Sequence, residues 1–219
     1  MDARLQRLTT EAIPLVHYNC ARSVFWELCP SVQGTPRLDA AFEKEVWLAT
    51  GLLEGDSGGF NLIHPRPTVA PIRAIATILY CNPAVAPGVV QLPSAPVSPD
   101  ARLITSLHID PVIADTGLET VMVDAVVMEL VAAEVPAVEV FGLRSEAASR
   151  AASLTDESVA RIVECAGSVG LIDVHFWESA GFMVVQDHPV LPRLRMELPP
   201  VRELLTELAA EELLNRIYA

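Results

Sequence analysis

The sequence predicts an α/β (α+β) chain, with a mixed central sheet of about six or seven strands flanked by helices. Three observations carry this reading. Between Leu103 and Phe141 the apolar period passes from strand-like to helical and back, which makes one β-α-β unit. Short apolar runs bounded by proline or glycine stand on both sides of that unit, at residues 60–64, 72–79, 182–186 and 193–198. Apolar residues make up 51% of the 219, yet no stretch reaches the roughly 20 uninterrupted apolar residues of a membrane helix. The whole chain, 1–219, reads as a single domain, with a core over about residues 20–198 and a closing helix over 201–218.

Near the start, Thr9-Thr10-Glu11 offers a cap for a first helix with Pro14 early in it. Residues 20–28 gather Val24, Phe25, Trp26 and Leu28 into an apolar cluster ended by Pro30, and a helix is expected there. Residues 38–53 place Phe42, Val46, Trp47 and Leu53 close to helical period, and Asp56-Ser57-Gly58-Gly59 is a turn. Two strands follow, at 60–64 and 72–79. Pro83, Pro87, Pro93, Pro96 and Pro99 then rule out a regular element over residues 82–99, so an extended surface loop is expected.

A third strand, residues 103–109, alternates Thr105, Leu107 and Ile109 against Ile104, Ser106 and His108. Residues 117–134 read as an amphipathic helix on Leu118, Val121, Met122, Ala125, Val126 and Leu130, ended by Pro136. A fourth strand at 137–141 leads through a Ser/Ala-rich link to helices at 155–165 and 172–180, the second stopped by Gly181. The strands at 182–186 and 193–198 follow. After Pro199-Pro200, the helix over 201–218 carries Leu204, Leu205, Leu208, Leu213 and Ile217 on one stripe. That stripe can cover the chain's own sheet or pair two copies into a homodimer.

Composition narrows the function. The formal charge is −13, from 28 acidic and 15 basic residues, and Lys44 is the one lysine. Nucleic acid is excluded as a partner, because counterion release needs clustered cations. An acidic surface suits a cationic substrate such as an amine. No membrane partner is expected. The opening Met1-Asp2-Ala3-Arg4, followed by Thr9-Thr10-Glu11, does not read as a secretory leader, so a cytoplasmic protein is expected. Cys20, Cys29, Cys81 and Cys165 form no C-x-x-C pair and are read as buried free thiols. His17, His64, His175 and His188 show no ligand spacing, so no metal site is assigned. A Gly-x-Ser-x-Gly elbow, a dinucleotide fingerprint and a P-loop are all missing, which removes hydrolase and dehydrogenase readings.

The segment Ile109-Asp110-Pro111-Val112-Ile113-Ala114-Asp115-Thr116-Gly117-Leu118-Glu119 stands between a strand and a helix. It resembles the signature of the GNAT superfamily, the acyl-CoA-dependent N-acyltransferases, where a strand ends in an apolar-x-Pro step before Arg/Gln-x-x-Gly-x-Gly/Ala. Downstream, Phe176-Trp177-Glu178-Ser179-Ala180-Gly181-Phe182 is similar to the Phe-Tyr-x-x-x-Gly-Phe segment that closes the GNAT core. Residues 23–28, 42–48, 94–98 and 192–195 extend the likeness over most of the chain, and together they resemble an actinobacterial subgroup. The resemblance implies the GNAT fold, acetyl-CoA or another acyl-CoA as co-substrate, and an amine-bearing small molecule or protein as acceptor. It further implies that Ala114, Asp115, Thr116, Gly117, Leu118, Glu119 and Thr120 meet the CoA pyrophosphate at a helix start, whose first amides lack partners. Leu107 and Ile109 then lie on the strand whose split from its neighbour accepts the pantetheine arm.

The departures from that pattern matter as much. Ala114 stands where the family has Arg or Gln, and Glu119 where it has Gly or Ala; Gly117 remains. Two unit charges ~4 Å apart repel by about 4 kcal/mol at an effective dielectric of 20, and by about 1 kcal/mol once water screens them. Glu119 and Asp115 are therefore expected to weaken pyrophosphate binding. Trp177 stands where many members carry a Tyr that protonates the leaving thiolate; an indole N–H is no acid, so Trp177 is assigned to core packing. No carboxylate accompanies Thr105 and Ser106 on their strand. His108, on the same face as Ser106, is the best remaining base, so His108 and Ser106 are the catalytic candidates. Two function classes compete: a working N-acyltransferase, and a degenerate GNAT-like domain that binds a ligand or partner without acyl transfer.

Overall fold

The computed structural model describes residues 4–29, 39–63, 72–114, 116–148, 156–205 and 212–213. Its eight strands form one mixed sheet in the order β1-β2-β3-β4-β5-β8-β7, with β6 added to β5. They are β1 (Arg4–Arg7), β2 (Ser57–Ile63), β3 (Ala76–Cys81), β4 (Ala101–Ile109), β5 (Ala137–Leu143), β6 (Ile172–Asp173), β7 (Met183–Gln186) and β8 (Arg193–Glu197). Neighbours from β1 to β4 are antiparallel, β4 and β5 are parallel, and β8 lies antiparallel to β5 and β7. The mixed sheet with flanking helices is the fold class expected. Two of its strands, β1 and β6, exceed the six read in the sequence.

Seven α-helical segments are described: α1 (Tyr18–Arg22), α2 (Ala40–Glu54), α3 (Leu118–Ala132), α4 (Ser145–Ala148), α5 (Glu157–Glu164), α6 (Ala166–Val169) and α7 (Val174–Ser179). Asp39 starts α2 by accepting the amide hydrogens of Ala41 and Phe42, and Gly55 ends it at φ 76°. The helix expected over 20–28 stops at Arg22. Its aromatic cluster instead forms a turn pinned from outside: Trp26 donates its indole N–H to Val169 O at 3.0 Å, and Gly88 N–H binds Trp26 O.

Helix α3 connects β4 to β5 and packs on the sheet. It is not the one-sided helix expected, because Val123, Asp124 and Val127 are buried along with Leu118, Val121, Met122, Ala125, Val126 and Leu130. A helix apolar on nearly every side belongs inside a core. With α7 it covers Ile78, Tyr80, Ile104, Val138 and Val140. Cys81, Leu103 and Phe141 face the other way, toward Trp26, α5 and α6. Burial on both faces is what parallel strands require.

The decisive irregularity lies in β4. Leu79 stands opposite Ser106 while its neighbour Tyr80 stands opposite Ile104, so Thr105 has no facing residue. This bulge puts Leu107 on the same apolar face as Ile104 and breaks the strict alternation expected for the strand. Pairing with β5 covers only Ala101–Ile104 against Ala137–Val140. Beyond that point the two strands part, as expected.

The helix expected over 201–218 does not begin at Val201, since residues 201–205 are bends and irregular chain. They are held by polar contacts: Arg202 pairs with the buried Asp124, and Leu205 N–H donates to Asp124 Oδ2 at 2.8 Å. Leu204 packs against the core and Leu213 is helical, while Leu208 and Ile217 lie outside the described residues. None of the four cysteines is in a disulfide; Cys20 and Cys81 are buried, but Cys165 is half-buried and Cys29, past the Trp26 turn, is exposed. Among the described residues no helix is long and apolar enough to cross a membrane.

Candidate functional site

Where β4 leaves β5, a cavity of about 550 Å³ opens. Leu107, His108 and Ile109 of β4 line it, together with Ala114, Gly117, Glu119 and Thr120 from the loop and first turn of α3. Seven sequence-predicted residues thus share one wall. Of the others, Ser106 is buried and does not line the cavity, Leu118 is turned into the core, and Thr116 donates its hydroxyl to Ile113 O at 2.7 Å. Asp115 lies outside the described residues. The rest of the lining was not assigned to a site from the sequence: His17, Asn19, Gly167, Gly170, Leu171, Ile172, Asp173 and Phe176.

The start of α3 is shaped by Gly117, at φ 89°, a conformation that side chains oppose. No side chain caps the helix there. The first intrahelical bond runs from Val121 N–H to Gly117 O at 3.4 Å, so the amides of Leu118, Glu119 and Thr120 precede the helical ladder. Leu213 approaches this turn: its Cδ2 lies 3.5 Å from where a Cβ on Gly117 would stand.

The gap between the parted strands is partly filled by the chain itself. Gly170 accepts the Leu107 amide hydrogen at 3.1 Å, and β6 pairs in parallel with β5 through Gly142–Ile172 and Leu143–Asp173. Gly170 sits at φ 81°, and a Cβ on it would stand 2.6 Å from Ser106 Cβ and 2.9 Å from His108 Nε2. Only glycine fits this bridge. The expected helix over 172–180 consequently starts two residues late, at Val174, where Asp173 accepts the His175 amide hydrogen at 2.8 Å.

Electrostatics at the cavity centre on two imidazoles. His108 is 3% exposed; burial, with help from Lys44 and His17, pushes its pKa down to about 3. It is neutral at physiological pH, and its buried Nε2 has no hydrogen-bond partner. His17 stacks on it with ring centroids 5.7 Å apart and an interplanar angle of 6°. Asn19 N–H donates to His17 Nδ1 at 3.2 Å, which assigns the proton to Nε2, and that nitrogen donates to Asp110 Oδ1 at 3.0 Å. A buried His108 can accept a hydrogen bond from an N–H group, but it removes a proton poorly. Asp110, part-exposed and held by His17, does not line the cavity.

Trp177 is 1% exposed, edge-on to Phe176 and Phe182 at centroid distances of 5.1 and 5.2 Å, in the core role assigned to it. His175 is exposed at the start of α7, and His188 accepts the amide hydrogens of Val190 and Leu191. His64 lies outside the described residues. Among the described residues no group of three or more His, Cys, Asp or Glu is arranged to hold a metal ion.

No protein-family model matches the chain, and no curated protein does. Among solved structures, the chain is similar to an N-acetyltransferase from Staphylococcus aureus Mu50, at 9% identity over 90% of this chain and 99% of that one, with a TM-score of 0.49. A Desulfovibrio desulfuricans protein assigned to the GNAT family as an acetyltransferase is 12% identical over 89% and 98% of the two chains, with a TM-score of 0.46. The ribosomal-protein-S18-alanine N-acetyltransferase of Escherichia coli is 13% identical over 93% and 99%, with a TM-score of 0.45. Likenesses this distant bear on neither substrate nor catalysis.

Proposed function

We propose that the protein is a GNAT-type N-acyltransferase that takes acetyl-CoA or another acyl-CoA and passes the acyl group to an amine. One observation carries this reading. β4 leaves β5 next to the bulge at Thr105, and the cavity there gathers Leu107, Ile109, Ala114, Gly117, Glu119 and Thr120, positions at which the GNAT resemblance expects an acyl-CoA, with the catalytic candidate His108 beside them. A bound acyl-CoA supplies an activated thioester carbonyl. The chain's own part is to hold and orient. The leading amides of α3 offer hydrogen bonds and a positive dipole end to phosphate. His17 and His108 line the cavity where the amine must approach and fix its orientation; as the new C–N bond forms and the C–S bond breaks, the proton that the amine gives up leaves on the thiol. Ala114 and Glu119 make the phosphate end weak. A cytoplasmic location and a place in an actinobacterial subgroup belong to the same reading.

A second reading has its own support. Gly170 already occupies the Leu107 amide, and Leu213 lies against the turn at Gly117. These contacts favour a GNAT-like domain that recognises a ligand or partner without acyl transfer. Thermal unfolding with acetyl-CoA and longer acyl-CoAs, paired with an assay of thiol release in the presence of amines, separates the two. A ligand at 100 times its Kd stabilises the fold by about 2.7 kcal/mol. Stabilisation with amine-dependent thiol release supports the enzyme. An unmoved transition at millimolar acyl-CoA supports the second reading.

A further inference from the structure

A second cavity, of about 420 Å³, is lined by Tyr18, Asn19 and Arg22 of α1 and by the turn that follows. Asn19 lines both cavities, so the two are neighbours at α1. Their chemistry differs. The first is lined by Glu119 and Asp173; the second has no acidic residue in its lining and one cation, Arg22. In a chain with a formal charge of −13, that selection runs against composition. Arg22 makes no ion pair among the described residues, and its guanidinium carbon sits 5.3 Å from the centroid of the Tyr18 ring. Stacked in this way, the guanidinium keeps the N–H edges that grip a carboxylate in two parallel hydrogen bonds. Phe25 and Val169 add an apolar wall, which the Trp26 indole bond to Val169 O holds in place.

We propose that this cavity is an acceptor subsite for an amino-carboxylate, a small ω-amino acid or dipeptide with amine and carboxylate at opposite ends. The carboxylate binds Arg22, the body lies against Tyr18 and Phe25, and the amine reaches past Asn19 toward His108. Asn19 and Arg22 are three residues apart on α1, about 4.5 Å along its axis, so the two charged ends of the ligand must be separated by several bonds. The direction in which the amine points rests on the acyl-transfer reading; binding of the carboxylate does not.

Calorimetry on the full chain without acyl-CoA tests the subsite, with glycyl-phenylalanine and 6-aminohexanoate as probes and phenethylamine and spermidine as the carboxylate-free counterparts. The expected result is that at least one amino-carboxylate binds more tightly than either carboxylate-free amine. Arg22→Gln then weakens it tenfold or more, and Arg22→Lys by a smaller factor. In an acyl-transfer assay, Arg22→Gln raises the KM of the amino-carboxylate about tenfold and leaves kcat unchanged. Arg22-dependent binding with no acyl transfer keeps the subsite and sinks the enzyme reading. Acyl transfer to phenethylamine or spermidine that ignores Arg22→Gln keeps the enzyme and overturns the subsite. Absence of Arg22-dependent binding also overturns it.

Discussion

The two halves of the β4–β5 pair behave differently although they belong to the same strands. Over Ala101–Ile104 and Ala137–Val140 the ladder is closed. Glu139, with no exposed surface, seals that half by pairing with Arg193 and Arg195 and accepting the Ser98 amide hydrogen at 3.1 Å. Beyond the bulge at Thr105 the ladder opens, and a glycine carbonyl, a two-residue strand and a cavity stand where β5 would be. A sheet interior offers a ligand nothing while its backbone groups are paired. Next to the one extra residue of β4 the two strands part, and Gly170 takes up the Leu107 amide that β5 no longer meets.

The largest effect is expected in the closed half. Glu139→Ala leaves the buried Arg193 without its carboxylate, although Arg195 keeps Asp100 and Glu197, and should lower stability by about 3–5 kcal/mol in urea unfolding. Glu139 does not line the cavity, so ligand binding by the protein that still folds should survive. Equal loss of both would join the halves that the account separates.

In the open half, acid is the probe. Burial holds His108 at about 3 when folded, against an ordinary value of 6.5, so the unfolded chain binds this proton more readily between those limits. The contribution is complete above pH 6.5 and is lost as pH falls toward 3, with a slope of up to about 1.4 kcal/mol per pH unit. His108→Gln should flatten the stability profile between pH 6 and 4, and an unchanged slope would place the acid sensitivity elsewhere. Gly170→Ala comes next, at about 2 kcal/mol, because the added Cβ meets Ser106 and His108 at a positive φ. The smallest change is Glu119→Gln, which should tighten acetyl-CoA by about 1 kcal/mol, roughly fivefold, with the gain shrinking as salt rises.

The legible part of the fold was the part with a period. The β-α-β unit from Leu103 to Phe141 announces itself by switching period twice, and the parting of β4 and β5 followed from the GNAT resemblance at the Ile109–Glu119 loop. The bulge was invisible, because residues 104–109 alternate convincingly as a regular strand and only the register with β3 reveals Thr105 as extra. A two-residue strand has no period at all, so β6 was absorbed into the helix that follows it. His17 and Asp110 are 93 residues apart, and only the folded chain brings their side chains together. The leucines of residues 201–218 kept a helical stripe, yet the Asp124 carboxylate captures the Leu205 amide and Arg202, and the chain begins irregularly.

The central claim is that the opened half of the pair is the acyl-CoA site. Titrating acetyl-CoA into 15N-labelled protein and following amide resonances tests it residue by residue. The account predicts saturable shifts at Leu107, Gly170 and Gly117 with one common Kd, while Val138 and Val140 in the closed half stay still. Saturation without movement at Leu107 and Gly170, or shifts confined to residues far from the parted strands, would contradict it.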